Sequence, residues 1–232
     1  MTTQVKHETE TLALHHLKML VECASNDRES KQILGCILFD GNTAQSCDGH
    51  RAYSVPCKHE LEPFIVLAKD LKRFLKGAKK ISWHSIPREL MLNQYSYGTF
   101  PDLNLLIPKK INHSLPIISQ LETTFCNAVN EASTDYVAIR IANKQLQIMH
   151  GYESELARDW RWFDPINFDY EYHDLSAIIF KQEYLKAIAN FPFNKIDAVD
   201  NLSPVLFHGL DKNFLLIMPF VIRQGKQPFG NN

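Results

Sequence analysis

No C-x-x-C pair, no Gly-rich phosphate loop, no G-x-S-x-G and no H-E-x-x-H occurs among the 232 residues. These absences remove the commonest redox and zinc sites, phosphate-cradling loops, nucleophile elbows and zinc-peptidase helices. The five cysteines, at 23, 36, 47, 57 and 126, are odd in number and irregularly spaced. They read as reduced, mostly core-filling thiols of a cytoplasmic protein, not as a disulfide frame. Cys57 and His59 would need further ligands at short spacing to hold a metal. Adjacent His15 and His16 point about 100° apart on a helix and do not converge on one ion, and His7 adds no site. No catalytic residue, metal or cofactor is assigned. No apolar run approaches the roughly 18 residues of a membrane span, and the polar start MTTQVKHETETLA is not a signal segment. Charge of neither sign is in excess: 25 Lys and Arg face 26 Asp and Glu, a formal net charge of −1. The balance gives no nucleic-acid signature, though a basic face can be offset elsewhere.

What is present is enough apolar residue, 45% of the chain, for two domains of roughly 110 residues each. Residues 1–10 read as a flexible tail. From 11 to 25, Leu14, Leu17, Val21 and Ala24 recur at helical spacing, with His15, Lys18 and Glu22 on the other face. Strands are expected at Ile33–Asp40, Thr43–Cys47 and Arg51–Val55, with turns at Asp40-Gly41-Asn42 and Asp48-Gly49. A second helix is expected over 68–80, burying Leu71, Phe74, Leu75 and Ala78. Its outer stripe carries Lys69, Lys72, Arg73 and Lys76 with no acid interleaved. Strands follow at Ile81–His84, Glu89–Gln94 and Tyr95–Thr99, then a connector at 100–112. The order repeats: a helix marked by Ile118, Leu121, Phe125 and Val129; a hairpin, Tyr136–Ile141 and Gln145–His150, turning at Asn143-Lys144; a helix at Lys181–Asn190; strands at Pro204–His208 and Phe214–Val221. The last ten residues are a polar tail containing Gln227-Pro228-Phe229. Helices backed by antiparallel strands in both halves give an α+β layer architecture, with domains at 11–99 and 113–222.

Three runs carry a family resemblance. Ser46-Cys47-Asp48-Gly49-His50-Arg51 is similar to the T-D-G-H-R run in the middle domain of the bacterial DNA polymerase III β sliding clamps. Phe100-Pro101-Asp102 with Leu106-Ile107-Pro108-Lys109 resembles their F-P-D-x-x-x-V-I-P-K connector, and Leu216–Ile222 resembles their closing V-V-M-P-M-R-L. The three stand in family order and spacing, and the resemblance covers residues 11–222, the middle and last clamp domains. Cys47 stands for Thr, Ala52 for Leu, Leu105 for a basic residue and Phe220-Val221 for Met-Arg.

The resemblance implies a DNA-clamp fold with two similar domains, each with two helices packed on antiparallel sheets. It implies a ring of six domains whose helices line a hole for duplex DNA, reached here as a homo-trimer through head-to-tail contacts, with a clamp loader as a further partner. A sliding ring touches phosphates weakly and reads no bases. Lys18, Lys69, Lys72, Arg73, Lys76, Lys181 and Lys186 are the residues expected to face DNA, with His15 and His16 beside Lys18. The third helix offers Gln120, Glu122, Thr124, Asn127 and Glu131 and no base. The family's partner pocket carries over as Gly49, His50, Ala52, Pro101, Leu105, Leu106, Leu216, Met218 and Pro219, accepting a short Q-x-x-L-F-like peptide of a polymerase or other client. Ala52 should deepen that pocket, and Leu105 should weaken contacts to acidic peptide groups.

Plainer readings stand beside these. Asp48-Gly49 is a common turn dipeptide, the Leu216–Ile222 run is a core strand on any reading, and a lysine stripe is often a solvated helix face. Trp160, Trp162 and Phe163 could stack on bases but fit core or subunit packing better. A clamp-like interaction module that does not encircle DNA is the alternative function.

Overall fold

The computed structural model describes residues 13–25, 31–59, 61–116, 123–124, 126–127, 129–130, 135–143, 145–151, 161–162, 166–167, 175–186, 188 and 193–220. The chain divides into two compact units, Met1–Leu103 with Asp211–Leu215, and Asn104–Leu210 with Leu216–Asn232. Among the described residues no helix is long and apolar enough to cross a membrane.

Unit 1 opens with a helix over residues 13–22 (α1). Its strands are β1 (Cys36–Phe39), β2 (Thr43–Cys47), β3 (Arg51–Pro56), β4 (Phe64–Leu67) and β5 (Leu92–Asn93). They are antiparallel neighbours in the order β5-β4-β1-β2-β3. A second helix, α2 (Ala68–Phe74), follows β4 directly. The α1 apolar stripe is wider than its spacing predicts. Leu14 and Leu17 are buried as expected, but so are Met19, Leu20 and His16, while Lys18 and Glu22 stay exposed.

His16 therefore does not join Lys18 on an outer face. Its Nδ1 pairs with the Tyr53 hydroxyl, and Asn213 Nδ2 donates to the same oxygen at 3.0 Å. Tyr53, Asn213 and His16 are 0, 2 and 4% exposed. Burial, reinforced by His15 and opposed by Asp211, lowers the His16 pKa from 6.5 to about 4. A neutral imidazole is thus built into an apolar wall, its Nδ1 satisfied by Tyr53, while its Nε2 is buried without a hydrogen bond, 3.8 Å from Asp211 Oδ2.

Several expected elements of unit 1 differ. The 68–80 helix ends at Phe74, with Leu75 as its cap. None of the three strands expected between 81 and 99 forms at its predicted length. Ser82 and Ser85 close a capping box over a 3-10 turn at Trp83–Ser85, a second 3-10 turn spans Arg88–Leu90, and only Leu92–Asn93 pairs as a strand. Pro87 withholds a ladder donor. The Asn93 side chain accepts the Tyr95 N–H at 2.9 Å, and Gly98 has φ +110. These are turn chemistry, which competes with a ladder.

Unit 2 contains β6 (His113–Pro116), β7 (Tyr136–Ala142), β8 (Gln145–Gly151), β9 (Arg161–Trp162), β10 (Ile166–Asn167), β11 (Leu175–Lys181), β12 (Phe193–Ala198) and β13 (Val205–Gly209). Helical residues lie within 123–130 (α3), and α4 is Gln182–Leu185. One sheet runs β10-β8-β7-β11, with β9 also on β8; β12 lies between β6 and β13 in another. The predicted hairpin forms in register, Tyr136 opposite Gly151 and Ala142 opposite Gln145, and Asn143 takes φ +53 in its turn. Phe180 of β11 meets Phe207 of β13 edge-on at 6.3 Å, and Phe193 meets Phe207 at 5.6 Å and 88°, arrangements aromatic pairs prefer.

The helix expected at Lys181–Asn190 is four residues, Gln182–Leu185, with Lys181 the last residue of the preceding strand. Leu185 and Ile188 are buried. β12 has no counterpart in the sequence reading. Its Lys195 and Asp197 break the apolar alternation, and a bulge shifts its register between Phe193 and Lys195. The closing strand β14 (Phe214–Ile217) stops before Met218, where Pro219 cannot supply a ladder N–H. The expected third-helix positions Gln120, Glu122 and Glu131, residues Trp160 and Phe163, and both tails lie outside the described residues.

Candidate functional site

The β2–β3 turn shows how sequence places candidate residues at a surface. Asp48 Oδ1 accepts the backbone N–H groups of His50 at 2.8 Å and Arg51 at 2.7 Å. The turn this closes holds Gly49 at φ +91, a conformation that favours glycine. Asp48 Oδ2 then accepts Arg51 Nε at 3.0 Å and pairs with its Nη2 at 3.0 Å. The same Nη2 reaches the Glu22 carbonyl at the end of α1, 2.9 Å away. Arg51 is therefore the fastener of the hairpin tip, and Gly49 and His50 are left exposed by it. Sequence reasoning gave Asp48 and Arg51 no role beyond the motif; the i, i+3 acid–base spacing across a turn was the available signal.

Ala52, next along β3, is 1% exposed and opposes Cys47. Its side chain offers no free surface, and a Leu there would have to displace core. Pro101 is half-buried and Leu103 buried at 2%. A single 3-10 turn, Leu103–Leu105, follows, and it leaves Leu105 79% and Leu106 41% exposed. Two adjacent leucines in water are informative, since burying each would gain roughly 1.5–3 kcal/mol.

In the closing segment Leu216 is buried at 1% and Pro219 is buried, while Met218 is half-buried. Met218 and Pro219 lie past the strand rather than in it. Phe220 anchors this exit: its N–H donates to the Ile179 carbonyl at 2.7 Å, and its ring lies 4.6 Å from that of Tyr136. The surface available from the nine candidate pocket residues is thus that of Gly49, His50, Pro101, Leu105, Leu106 and Met218.

The basic residues fall into two groups. Lys18, Lys69, Lys72, Arg73, Lys76 and Lys186 are exposed. The α2 stripe is not free of acid, as the sequence suggested: Asp70 lies 3.3 Å from Arg73. Asp70 in the first turn with Lys72 and Arg73 in the last also complements the helix dipole. Lys76 lies beyond the helix end. Lys181 is 3.9 Å from Glu183 and 5.9 Å from the Tyr184 ring. The described α3 side chains are uncharged, with Thr123 and Asn127 exposed.

A second polar cluster escaped the sequence reading. Asp197 is 5% exposed. It accepts Ser114 Oγ at 2.6 Å on one oxygen, and Lys195 Nζ and His208 Nε2 at 2.8 Å each on the other. Burial works to raise its pKa, but the hydrogen bonds from Lys195 and Ser114, with the charges of His208 and Lys195, outweigh it and hold the carboxyl below its ordinary range. Ser114 and His208 both bind the carboxylate, so the serine is not set against the imidazole as a nucleophile would be. The cluster joins three adjacent strands. Among the described residues no three His, Cys, Asp or Glu side chains are grouped to hold a metal.

No protein-family model matches the chain. No curated protein sequence matches it either. Solved structures do. The DNA polymerase sliding clamp of Bacillus subtilis superposes with TM-score 0.71 at 16% identity, over 91% of this chain and 62% of that one. The Helicobacter pylori β clamp bound to a DNA ligase peptide gives 0.70 at 12% identity, over 92% and 65%. The Pseudomonas aeruginosa clamp bound to griselimycin gives 0.64 at 17%, over 90% and 64%. The fold is that of the bacterial DNA polymerase III β sliding clamps, and the chain spans about 64% of the length of those clamps.

Proposed function

We propose that this chain is a sliding-clamp-like processivity factor of the cytoplasm, which encircles duplex DNA and tethers a DNA polymerase or another client. The observation that carries the reading is the clamp fold over nine-tenths of the chain. The client would bind a pocket whose surface comes from Gly49, His50, Pro101, Leu105, Leu106 and Met218, with the buried Ala52, Leu216 and Pro219 behind it. Leu105 and Leu106, exposed on one turn, suit a guest's apolar side chain, as anchor pockets do. That the Helicobacter pylori clamp is bound to a DNA ligase peptide supports the class of client. Such a protein acts by holding, not by catalysis.

Six clamp domains make the ring, so two per chain point to a homo-trimer and to a loader that opens it. Lys18, Lys69, Lys72, Arg73, Lys76, Lys181 and Lys186 would meet phosphates. A clamp-like interaction module that does not encircle DNA is the second reading. It is favoured by the acids that partner Arg73 and Lys181 and by the net charge of −1, both of which weaken attraction to a polyanion.

Light scattering of the purified chain, followed by retention on nicked circular DNA, separates the two. A trimer that stays on circles and leaves on linearisation supports the ring. A monomer at high concentration, with no topological retention, refutes it and supports the module.

A further inference from the structure

Unit 1 encloses a cavity of about 250 Å³ that the clamp reading does not use. One wall is aromatic. Phe39 and Phe64 stack at 4.8 Å and 10°, and Trp83 stands edge-on to Phe39 at 6.3 Å. His59 completes that wall, 5.1 Å from Phe64. Its tautomer follows from its bonds. Gly41 N–H donates to His59 Nε2 at 2.9 Å, while the His59 backbone N–H donates to the Gly41 carbonyl at 3.3 Å and leaves the ring nitrogens untouched. Nε2 is the acceptor, so the neutral ring carries its proton on Nδ1. That Nδ1 is buried and has no hydrogen-bond partner, a state that costs about 1–3 kcal/mol.

The lining includes Arg88, an exposed residue with no ion pair among the described residues. Among the described residues no acid lines the cavity; Glu62 belongs to the shallower groove beside it, which shares Leu61, Phe64, Arg88 and Met91. Burial pushes the Cys57 thiol up to about 12, so that lining residue is a protonated, unreactive wall. An aromatic face and a cation with no ion pair among the described residues together describe one ligand chemistry: a planar apolar ring bearing an anionic acceptor.

We propose that this cavity is a binding site for a small aromatic carboxylate, its ring against Phe39, Phe64 and Trp83 and its carboxylate drawn by Arg88. The site lies wholly within unit 1 and does not depend on the clamp reading. The size suits a one- or two-ring ligand, below the usual span of drug-sized pockets of roughly 300–1,000 Å³.

The full chain is titrated with 2-naphthoate by calorimetry, beside neutral naphthalene-2-methanol and a tripeptide ending in Trp with a free carboxylate. One saturable site per chain is expected for the naphthoate, with at least tenfold weaker binding of the neutral alcohol. Arg88→Gln, an exposed change that leaves the core intact, should weaken the naphthoate at least tenfold. Met91→Trp should abolish binding by filling the cavity. Tighter binding of the tripeptide identifies a peptide C-terminus as the source of the carboxylate, and tighter binding of naphthoate a free acid; either supports the site. No saturable naphthoate binding to the folded wild type overturns the proposal. So does binding that is equal for the alcohol, or unchanged in both variants.

Discussion

Tyr53→Phe removes one oxygen from the centre of unit 1, and its cost can be worked from the geometry. The Asn213 amide already donates to that oxygen, so the phenolic proton is directed to His16 Nδ1. Deleting the hydroxyl strands a donor on Asn213 and an acceptor on His16, in side chains 2 and 4% exposed. Each stranded group costs about 1–3 kcal/mol. The vacated space, a single oxygen atom, is smaller than the roughly 10–15 Å³ of probe volume a water needs, so no solvent substitutes. Partial relaxation of Asn213 leaves a net loss of about 2–4 kcal/mol. Because two units need not unfold as one transition, native-state hydrogen exchange of the β2 and β3 amides is the suitable measure. Exchange through unfolding of unit 1 should accelerate roughly 30- to 1000-fold, at a factor of ten per 1.4 kcal/mol. A change below about threefold would show that the network contributes little and that His16 is held by packing alone.

The same histidine sets a pH dependence. Its folded pKa of about 4 lies below its ordinary 6.5, so the unfolded chain binds the proton more readily. Stability from this group is complete above pH 6.5 and is lost as pH falls toward 4, by about 3 kcal/mol in all; His16→Phe should flatten that window in urea titrations followed across it. Gly49→Ala meets no atom within 4 Å, so its cost is the strain of φ +91 alone, about 1 kcal/mol; a melting temperature unchanged within error would refute the turn argument. Charge reversal at Lys72 and Arg73 should abolish retention on circular DNA while sparing peptide binding, and retention equal to wild type would place the DNA elsewhere. Leu106→Ala with Met218→Ala should weaken a fluorescent Q-x-x-L-F peptide by a few kcal/mol at most; equal anisotropy curves would refute the pocket.

The residues that announced themselves in the sequence were those whose roles are local. Asp48-Gly49, the β7–β8 hairpin and the α1 stripe each depend on contacts a few residues apart, and periodicity or turn chemistry carries that information. Residues 81–99 misled because Ile81, Leu90 and Leu92 look strand-like, while Ser82, Pro87 and Asn93 redirect the chain into turns. β12 was missed because Asp197 reads as a breaker until Ser114, 83 positions away, is seen to bind it. Of the candidate pocket, Leu105 and Leu106 are exposed. The burial of Ala52 and Leu216 was invisible, because exposure is decided by chain segments remote in sequence. The same remoteness hid the His59 cavity: Gly41, His59 and Arg88 share no motif.

Arg51 has a mechanical consequence. One guanidinium grips both the Asp48 carboxylate beneath the hairpin tip and the Glu22 carbonyl at the end of α1. The loop that presents His50 and the rod that presents Lys18 are riveted at a shared point, so neither can be displaced alone. A guest that pulls on the tip would be felt along the rod, and Arg51→Lys, which keeps charge but loses the forked grip, would let the two move separately.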